Sequence, residues 1–153
     1  MTRYRGACLI TGRGQPDHAT RSFIIQISQM YKDTPIYILT DCDIFGVLIA
    51  CTYQSGFNDS HRNRLRWLGV WPEELIISSS LTISQTLPIT DERERRMIKR
   101  FIQRSDINDE WRRQVSFFEQ HQRKMEIEAI YENGTKSLID DYLHEKLMGH
   151  RWL

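Results

Sequence analysis

Two aspartates separated by one residue are the side chains of this sequence best suited to chemistry. Asp41 and Asp43 follow the run Ile36–Thr40, whose β-branched and aromatic residues without polar alternation predict a strand buried on both faces. Residues i and i+2 of an extended chain point the same way, so both carboxylates should face one point at the carboxyl end of a parallel strand. Two converging carboxylates without a nearby Lys or Arg repel each other unless a hard cation lies between them. The pair is therefore a candidate Mg²⁺ site.

Other roles for these aspartates have to be weighed against metal binding. Asp43 is placed to cap a helix beginning near Ile44, and spacing alone favours a cap over a metal ligand. Asp-x-Asp also occurs in haloacid-type phosphatases and in sugar-nucleotide transferases. A phosphatase using Asp41 as nucleophile is disfavoured, because such sites have Thr or Val two residues beyond the second Asp and this chain has Phe45.

A glycine loop forms the second candidate for ligand binding. Gly12, Arg13 and Gly14 follow the run Ala7–Thr11, which we interpret as a short buried strand. Backbone N–H groups of such a loop could hold a phosphate, although two glycines alone are weak evidence. A guanidinium at Arg13 would lie near anything bound at the aspartate pair.

The elements that must position these residues are predicted to form one α/β domain over residues 1–153, with a small, mostly parallel sheet flanked by helices and a helical carboxyl-terminal half. Asp17 or Thr20 is placed to cap the helix that follows the glycine loop. The resulting strand–helix–strand unit predicts that Ala7–Thr11 pairs in parallel with Ile36–Thr40. The further predicted elements are a helix over His18–Lys32, a helix from Phe45, a strand over Leu65–Trp71, and helices beginning with a cap at Thr90, over Asp109–Tyr131 and over Ser137–Met148.

Composition limits the class of protein but does not select a function. A chain of 153 residues with 40% hydrophobic and 27% charged residues is ordinary for a globular domain, and a net charge of +1 neither requires nor excludes nucleic acid as a partner. The cysteines, Cys8, Cys42 and Cys51, lack a paired spacing, which favours a reducing compartment. No apolar run is long enough to span a bilayer, so we expect a protein of the cytoplasm or nucleus without membrane partners.

Taken in order, the motifs of the chain resemble a Toprim domain. This domain is found in the DNA-cleaving A-type component of topoisomerase VI and in the meiotic relative of that component, the Spo-eleven protein. These motifs extend over nearly the whole chain, and a set in the family's order is more specific than any one member. They are Leu9–Gly14, Pro16–Asp17, Ala19–Arg21, Asp41–Asp43 with Gly46, Leu65–Gly69, Leu87–Pro88 with Thr90, Trp111–Arg113, Glu126–Ala129, and Tyr142–Leu143 with Glu145–Lys146.

This resemblance implies a Toprim fold that holds Mg²⁺ beside duplex DNA while a tyrosine hydroxyl attacks a DNA phosphate. It makes Asp41 and Asp43 the metal ligands, and Gly12, Arg13, Gly14 and Arg21 the residues that bind DNA or phosphate. It also implies a homodimer, an ATP-binding partner resembling the B-type component of topoisomerase VI, and a nuclear or chromosomal location in a eukaryote, with a lean towards the meiotic role.

Departures from the family pattern limit what this chain is expected to do alone. The family's attacking tyrosine belongs to a winged-helix domain upstream of Toprim, and its third acidic ligand is a glutamate before the glycine loop. The first glutamate of this sequence is Glu73, and Ile44 replaces the proline that usually follows Asp-x-Asp. We therefore expect no catalytic residue in this chain and no DNA cleavage by it alone. The alternative is a non-catalytic DNA-binding or partner-binding module derived from that family.

Overall fold

The two long strands of the chain form a parallel pair joined by a helix. The computed structural model describes residues 7–55, 64–77, 85–133 and 137–153. Strand β1 (Ile36–Leu39) leads into helix α2 (Ile44–Ser55), which crosses to strand β2 (Leu65–Gly69). Ile36 pairs with Leu65, and Ile38 pairs with Trp67. This β1–α2–β2 unit is the frame that carries the aspartate pair.

The remaining elements surround this unit, and most of them are helical. Helix α1 (His18–Met30) begins after Asp17, whose carboxylate accepts a hydrogen bond from the backbone N–H of Thr20 at 2.7 Å. The other elements are α3 (Glu74–Ile77), β3 (Leu87–Pro88), α4 (Glu92–Ile102), α5 (Asp109–His121), β4 (Arg123–Lys124), a 3₁₀ helix (Ile127–Asn133), a π-helical segment (Ser137–Leu143) and α6 (His144–Met148).

Two stacked tryptophans form the centre of the core and connect its two halves. Trp67 of β2 lies parallel to Trp111 of α5, with ring centroids 4.6 Å apart and an interplanar angle of 6°. The indole N–H of Trp67 donates to the hydroxyl of Thr40 at 3.1 Å, so the polar edge of this buried ring is satisfied. The residue immediately before the aspartate pair is thereby tied to the core.

A second, antiparallel pair of strands connects the carboxyl-terminal half to the aspartate loop. Strand β3 pairs with β4, and the next residue, Met125, forms an isolated antiparallel bridge with Cys42. The N–H of Cys42 donates to the carbonyl of Met125 at 2.8 Å, and the N–H of Met125 donates back at 2.9 Å. The segment after α5 is therefore joined directly to the loop between β1 and α2.

Three predicted elements differ from the structure. Residues 7–11 form no strand, and Leu9 is 97% exposed, because β1 pairs with β2 and not with this run. The helix predicted over Asp109–Tyr131 ends at His121, since Gln122 adopts the left-handed conformation and the chain becomes extended. Asp91, not Thr90, caps α4 by accepting the N–H of Arg93 at 2.8 Å.

The predicted α/β class with a small parallel sheet and a helical carboxyl-terminal half is confirmed. Helices were predicted correctly at α1, at α2 and at the start of α5. In the part of the chain that the structure describes, no helix is long and apolar enough to cross a membrane. Gly134 and Thr135 predict a break between the last two helices, and both lie outside the described residues.

Candidate metal centre between β1 and α2

The structure places Asp41 and Asp43 in the short connection between β1 and α2, at the carboxyl end of the parallel pair. The carboxylate of Asp43 accepts the N–H of Gly46 through Oδ1 at 2.7 Å and thus caps the first turn of α2. The carboxylate of Asp41 accepts the N–H of Ile127 through its own Oδ1 at 2.9 Å. Both aspartates are half-buried and have fixed orientations, one set by its own helix and one by a distant segment.

The backbone of this connection is held on both sides. Thr40 donates its N–H to the carbonyl of Gly69 at 2.8 Å and accepts the N–H of Val70 at 3.0 Å, which extends the β1–β2 pairing to the aspartates. Gly46 allows α2 to approach the connection, because a Cβ at that position would lie 2.1 Å from the carbonyl oxygen of Asp41. Together with the Cys42–Met125 bridge, these contacts pre-organise the loop before any ligand binds.

Electrostatics at the pair favour an added cation. Burial raises the pKa of Asp43 above its ordinary value, and the hydrogen bond from Gly46 opposes this shift. The negative charges of Asp41 and Glu94 also raise the pKa of Asp43, whereas the ammonium of Lys124 lowers it. Three carboxylates and one ammonium therefore act on the same small region, and a divalent cation would relieve the remaining repulsion.

The donor set fits a hard cation that keeps most of its own water. Each aspartate uses Oδ1 for a backbone N–H, and within the described residues neither Oδ2 accepts a hydrogen bond. Mg²⁺ prefers carboxylate oxygens and is commonly held by one or two carboxylates with water and substrate phosphates. Among the described residues no group of three or more His, Cys, Asp or Glu side chains is arranged to hold a metal. The role of Asp41 and Asp43 as metal ligands therefore stays a prediction.

The glycine loop lies towards the other end of α2. A Cβ at Gly12 would lie 2.6 Å from the hydroxyl of Tyr53, and the hydroxyl of Thr52 donates to Oε1 of Gln15 at 3.4 Å. Thr52 is eight residues beyond the start of α2, a distance of about 12 Å along the helix axis. The structure therefore does not bring this loop to the aspartate pair through these contacts.

Of the two arginines assigned to phosphate, Arg13 lies in the glycine loop and Arg21 on α1. Arg13 has a positive φ of 51° and Gly14 a φ of 107°, as expected for a tight loop. On α1, Arg21 contacts Nδ1 of His18 through Nη2 at 3.0 Å. Binding of DNA or phosphate by Gly12, Arg13, Gly14 and Arg21 stays a prediction.

A buried polar network behind the loop was missed by sequence reasoning. The carboxylate of Glu74 forms an ion pair with Nζ of Lys146 at 2.7 Å and accepts the hydroxyl of Tyr142 at 2.8 Å and the N–H of Trp71 at 3.0 Å. The ammonium of Lys146 also lies 3.5 Å from the centroid of the Trp71 ring. Tyr142 and Lys146 are four residues apart, a spacing that places them on one helical face, but nothing in the sequence indicated Glu74 as their partner.

This network packs directly against the strand end that holds the aspartate loop. A Cβ at Gly69 would lie 2.3 Å from the hydroxyl of Tyr142 and 3.2 Å from Nζ of Lys146. Gly69 in turn accepts the N–H of Thr40. Burial raises the pKa of the Cys42 thiol, and the negative charge of Glu74 adds to that effect, so the network lies within electrostatic range of the loop.

With the geometry established, comparison with known proteins identifies the family. Residues 1–147 match the model of the Toprim domain shared by Spo11 and the A component of topoisomerase 6. The chain belongs to this Toprim family. The expected resemblance is thus confirmed, and the mixed α/β architecture with its small parallel sheet is consistent with a Toprim-like fold.

Both branches of the Toprim family are represented among similar proteins. The meiotic recombination protein SPO11-2 of Oryza sativa subsp. indica is 30% identical, with 92% of this chain and 37% of the relative aligned. The A component of the type 2 DNA topoisomerase 6 of Aeropyrum pernix is 31% identical over 96% of this chain and 42% of the relative. The meiotic recombination protein SPO11-1 of Arabidopsis thaliana is 27% identical over 91% of this chain and 40% of the relative. The chain thus spans about two fifths of the length of these relatives.

Proposed function

We propose that this chain is the Mg²⁺-binding Toprim part of a type II topoisomerase-like, DNA-cleaving transesterase. In this proposal Asp41 and Asp43 are the metal ligands that the chain contributes. The attacking tyrosine comes from a winged-helix domain outside this single Toprim-type domain of residues 1–153, so the chain alone does not cleave DNA. Membership of the family that contains Spo11 and the DNA-cleaving component of topoisomerase 6 supports the reaction class.

The observation that supports the proposal most directly is the hydrogen bonding of the two aspartate carboxylates. Each carboxylate is fixed by one backbone N–H through Oδ1, and within the described part of the chain each Oδ2 is left without a hydrogen-bond donor. A metal ligand has to be both oriented and available, and this arrangement meets both requirements. Helix capping alone would account for Asp43 but not for Asp41, which is bound to a segment 86 residues away.

A bound Mg²⁺ would stabilise negative charge on the phosphoryl oxygens during attack by the tyrosine. The residues of this chain would hold the ion and orient its ligands. Gly46 and Ile127 fix the two carboxylates, and Thr40 joins their loop to β2. Two carboxylates make a weak site for an ion that dehydrates reluctantly, so we expect millimolar affinity in the absence of DNA.

The partners and the location that we propose are those that the family resemblance implies. Duplex DNA is the substrate, the protein partners are a second copy of the chain and a B-type protein that binds ATP, and a eukaryotic protein would act on chromosomes in the nucleus. The names of the relatives support both a meiotic and a topoisomerase role, since they describe a meiotic recombination protein and a type 2 DNA topoisomerase. We favour the meiotic role.

Binding of a short fluorescein-labelled duplex, measured by anisotropy with and without millimolar Mg²⁺, tests the proposal. The variants are Asp41→Asn and Asp43→Asn, since Asn still accepts the N–H groups of Ile127 and Gly46 but lacks the charge that a metal ligand needs. We expect the wild-type chain to bind DNA more tightly with Mg²⁺ and both variants to lose this difference.

Asp33→Asn is the matched control, because Asp33 is exposed in the turn before β1 and carries the same charge. Binding that depends on salt but not on Mg²⁺, and that is unchanged in both variants, would refute the metal role. That result would favour the non-catalytic binding module instead.

A further inference from the structure

The segment that orients Asp41 also carries a lysine whose charge acts on Asp43. Met125 is bridged to Cys42, and in an antiparallel pair the residue before one partner lies across from the residue after the other. By this register the backbone of Lys124 lies across from that of Asp43. The effect of Lys124 on Asp43 agrees with this register, since its ammonium lowers the pKa of that carboxyl.

Glu94 of α4 fixes the ammonium of Lys124. Nζ of Lys124 lies 2.9 Å from Oε1 of Glu94 and 2.9 Å from Oε2. The Glu94 side chain is 3% exposed and the Lys124 side chain is 26% exposed, so the carboxylate is the buried member of the pair. Release of the ammonium would leave a buried charge unpaired, which is strongly unfavourable, so Lys124 stays on Glu94.

An ammonium held in this way retains binding capacity on its exposed side. Lysine has three N–H donors, and two of them are directed to the two oxygens of Glu94. Within the described ranges the third N–H has no acceptor. Arg95, by comparison, is ion-paired to the exposed carboxylate of Glu92 on its own helix.

We infer that Lys124 contacts an anionic phosphate oxygen of the ligand held at Asp41 and Asp43, with Glu94 as its positioning residue. This inference rests on the proposed function and names a residue of that site. An anionic oxygen beside a cation at the aspartates would lie next to the segment that carries Lys124. The charge of Lys124 would then add to that of the metal, and the ammonium would need no rearrangement to make the contact.

The salt dependence of DNA binding distinguishes a phosphate contact from a structural role. Each phosphate neutralised by the protein contributes about 0.9 to the slope of log K against log salt. We expect Lys124→Met to reduce that slope by about 0.9 and to weaken binding about five-fold at 0.15 M salt. A lysine that only stabilised the fold would leave the slope of the folded protein unchanged.

The variants are chosen so that the result does not depend on one fragile protein. Glu94→Gln with Lys124→Met removes both charges and leaves no unpaired buried carboxylate, and it should show the same loss of slope. Lys124→Arg should restore the slope, because it keeps the charge. Lys99→Met, on the exposed surface of α4, is the matched control and should leave the slope unchanged. All measurements are made in the presence of Mg²⁺, and the salt concentration is varied between about 50 and 200 mM.

The possible failures are distinct. If Asp43→Asn abolishes the Mg²⁺ effect but the Lys124 variants behave like Lys99→Met, the inference about Lys124 is wrong and the proposed function stands. If Asp43→Asn has no effect, the proposed function fails. A slope change at Lys124 in that case would show a DNA contact unrelated to the aspartates, which also overturns the inference. Absence of Mg²⁺-dependent binding by the wild-type chain refutes both.

Discussion

The buried ion pair behind the aspartate loop predicts a stability that increases with pH in the mildly alkaline range. Lys146 is 2% exposed, and burial lowers its pKa from 10.5 to about 8 despite the opposing effect of Glu74. Between these two values the unfolded chain carries the proton on Lys146 and the folded chain has begun to lose it. Because the unfolded state then binds more protons, the free energy of unfolding rises with pH across this window.

The size of the effect follows from the two pKa values. With a pKa of about 8 when folded and 10.5 when unfolded, Lys146 contributes an increase of about 1 kcal/mol in the free energy of unfolding from pH 7 to pH 9. Below pH 8 the ammonium is charged in both states, so the full cost of its burial is present there. Measurement should stop near pH 9, because burial raises the pKa values of Cys42 and Tyr142 and these groups reduce stability at higher pH.

The assay is urea unfolding followed by tryptophan fluorescence at pH 7, 8 and 9. The comparison protein is Glu74→Gln with Lys146→Met, in which the amide still accepts the hydroxyl of Tyr142 and no buried charge is left unpaired. Cys42 titrates in both proteins, so the difference between them isolates Lys146. We expect the stability of the wild type relative to the double variant to increase by about 1 kcal/mol over this range. A difference that is constant or falls with pH would refute the argument.

Two further substitutions test the local structure of the site and of its scaffold. Gly46→Ala should lower the free energy of unfolding by more than about 2 kcal/mol, because the new methyl group would collide with the backbone carbonyl of Asp41, and urea unfolding with an unchanged midpoint would contradict this. Asn108→Ala should lower the free energy of unfolding by about 1 kcal/mol, since Asn108 caps α5 by accepting the N–H of Trp111 at 2.9 Å. Asn108→Asp, which keeps the acceptor, should retain most of that stability, and equal loss in both variants would show that the cap contributes nothing.

Local sequence patterns were sufficient for the elements that carry the aspartates. The β-branched run before Asp41 and the helical spacing after Phe45 each reflect interactions within about ten residues, which a pattern records directly. The cap at Asp17 was predictable for the same reason. The strand predicted over Ala7–Thr11 was wrong because an apolar run becomes a strand only where an edge is available to pair with it, and this depends on the rest of the fold.

The contacts that orient the site could not be read from the sequence because they join distant segments. Helix α5 ends at His121 without a glycine or proline to mark the end, and the chain then becomes extended up to Met125, which bridges Cys42. An apolar pattern that continued to Tyr131 concealed this change from helix to strand. The partner of Asp41 and the position of Lys124 both depend on it, as does the ion pair with Glu94.

Capping and metal binding were weighed as competing roles for the aspartates, but the geometry makes them compatible. A carboxylate has two oxygens, and the backbone N–H of Gly46 or Ile127 occupies only Oδ1. The hydrogen bond that fixes the side chain removes the rotational freedom that a ligand would otherwise lose on binding the ion. Asn at either position keeps the fixing bond and loses the ligand charge, so the two roles can be separated by experiment although one side chain performs both.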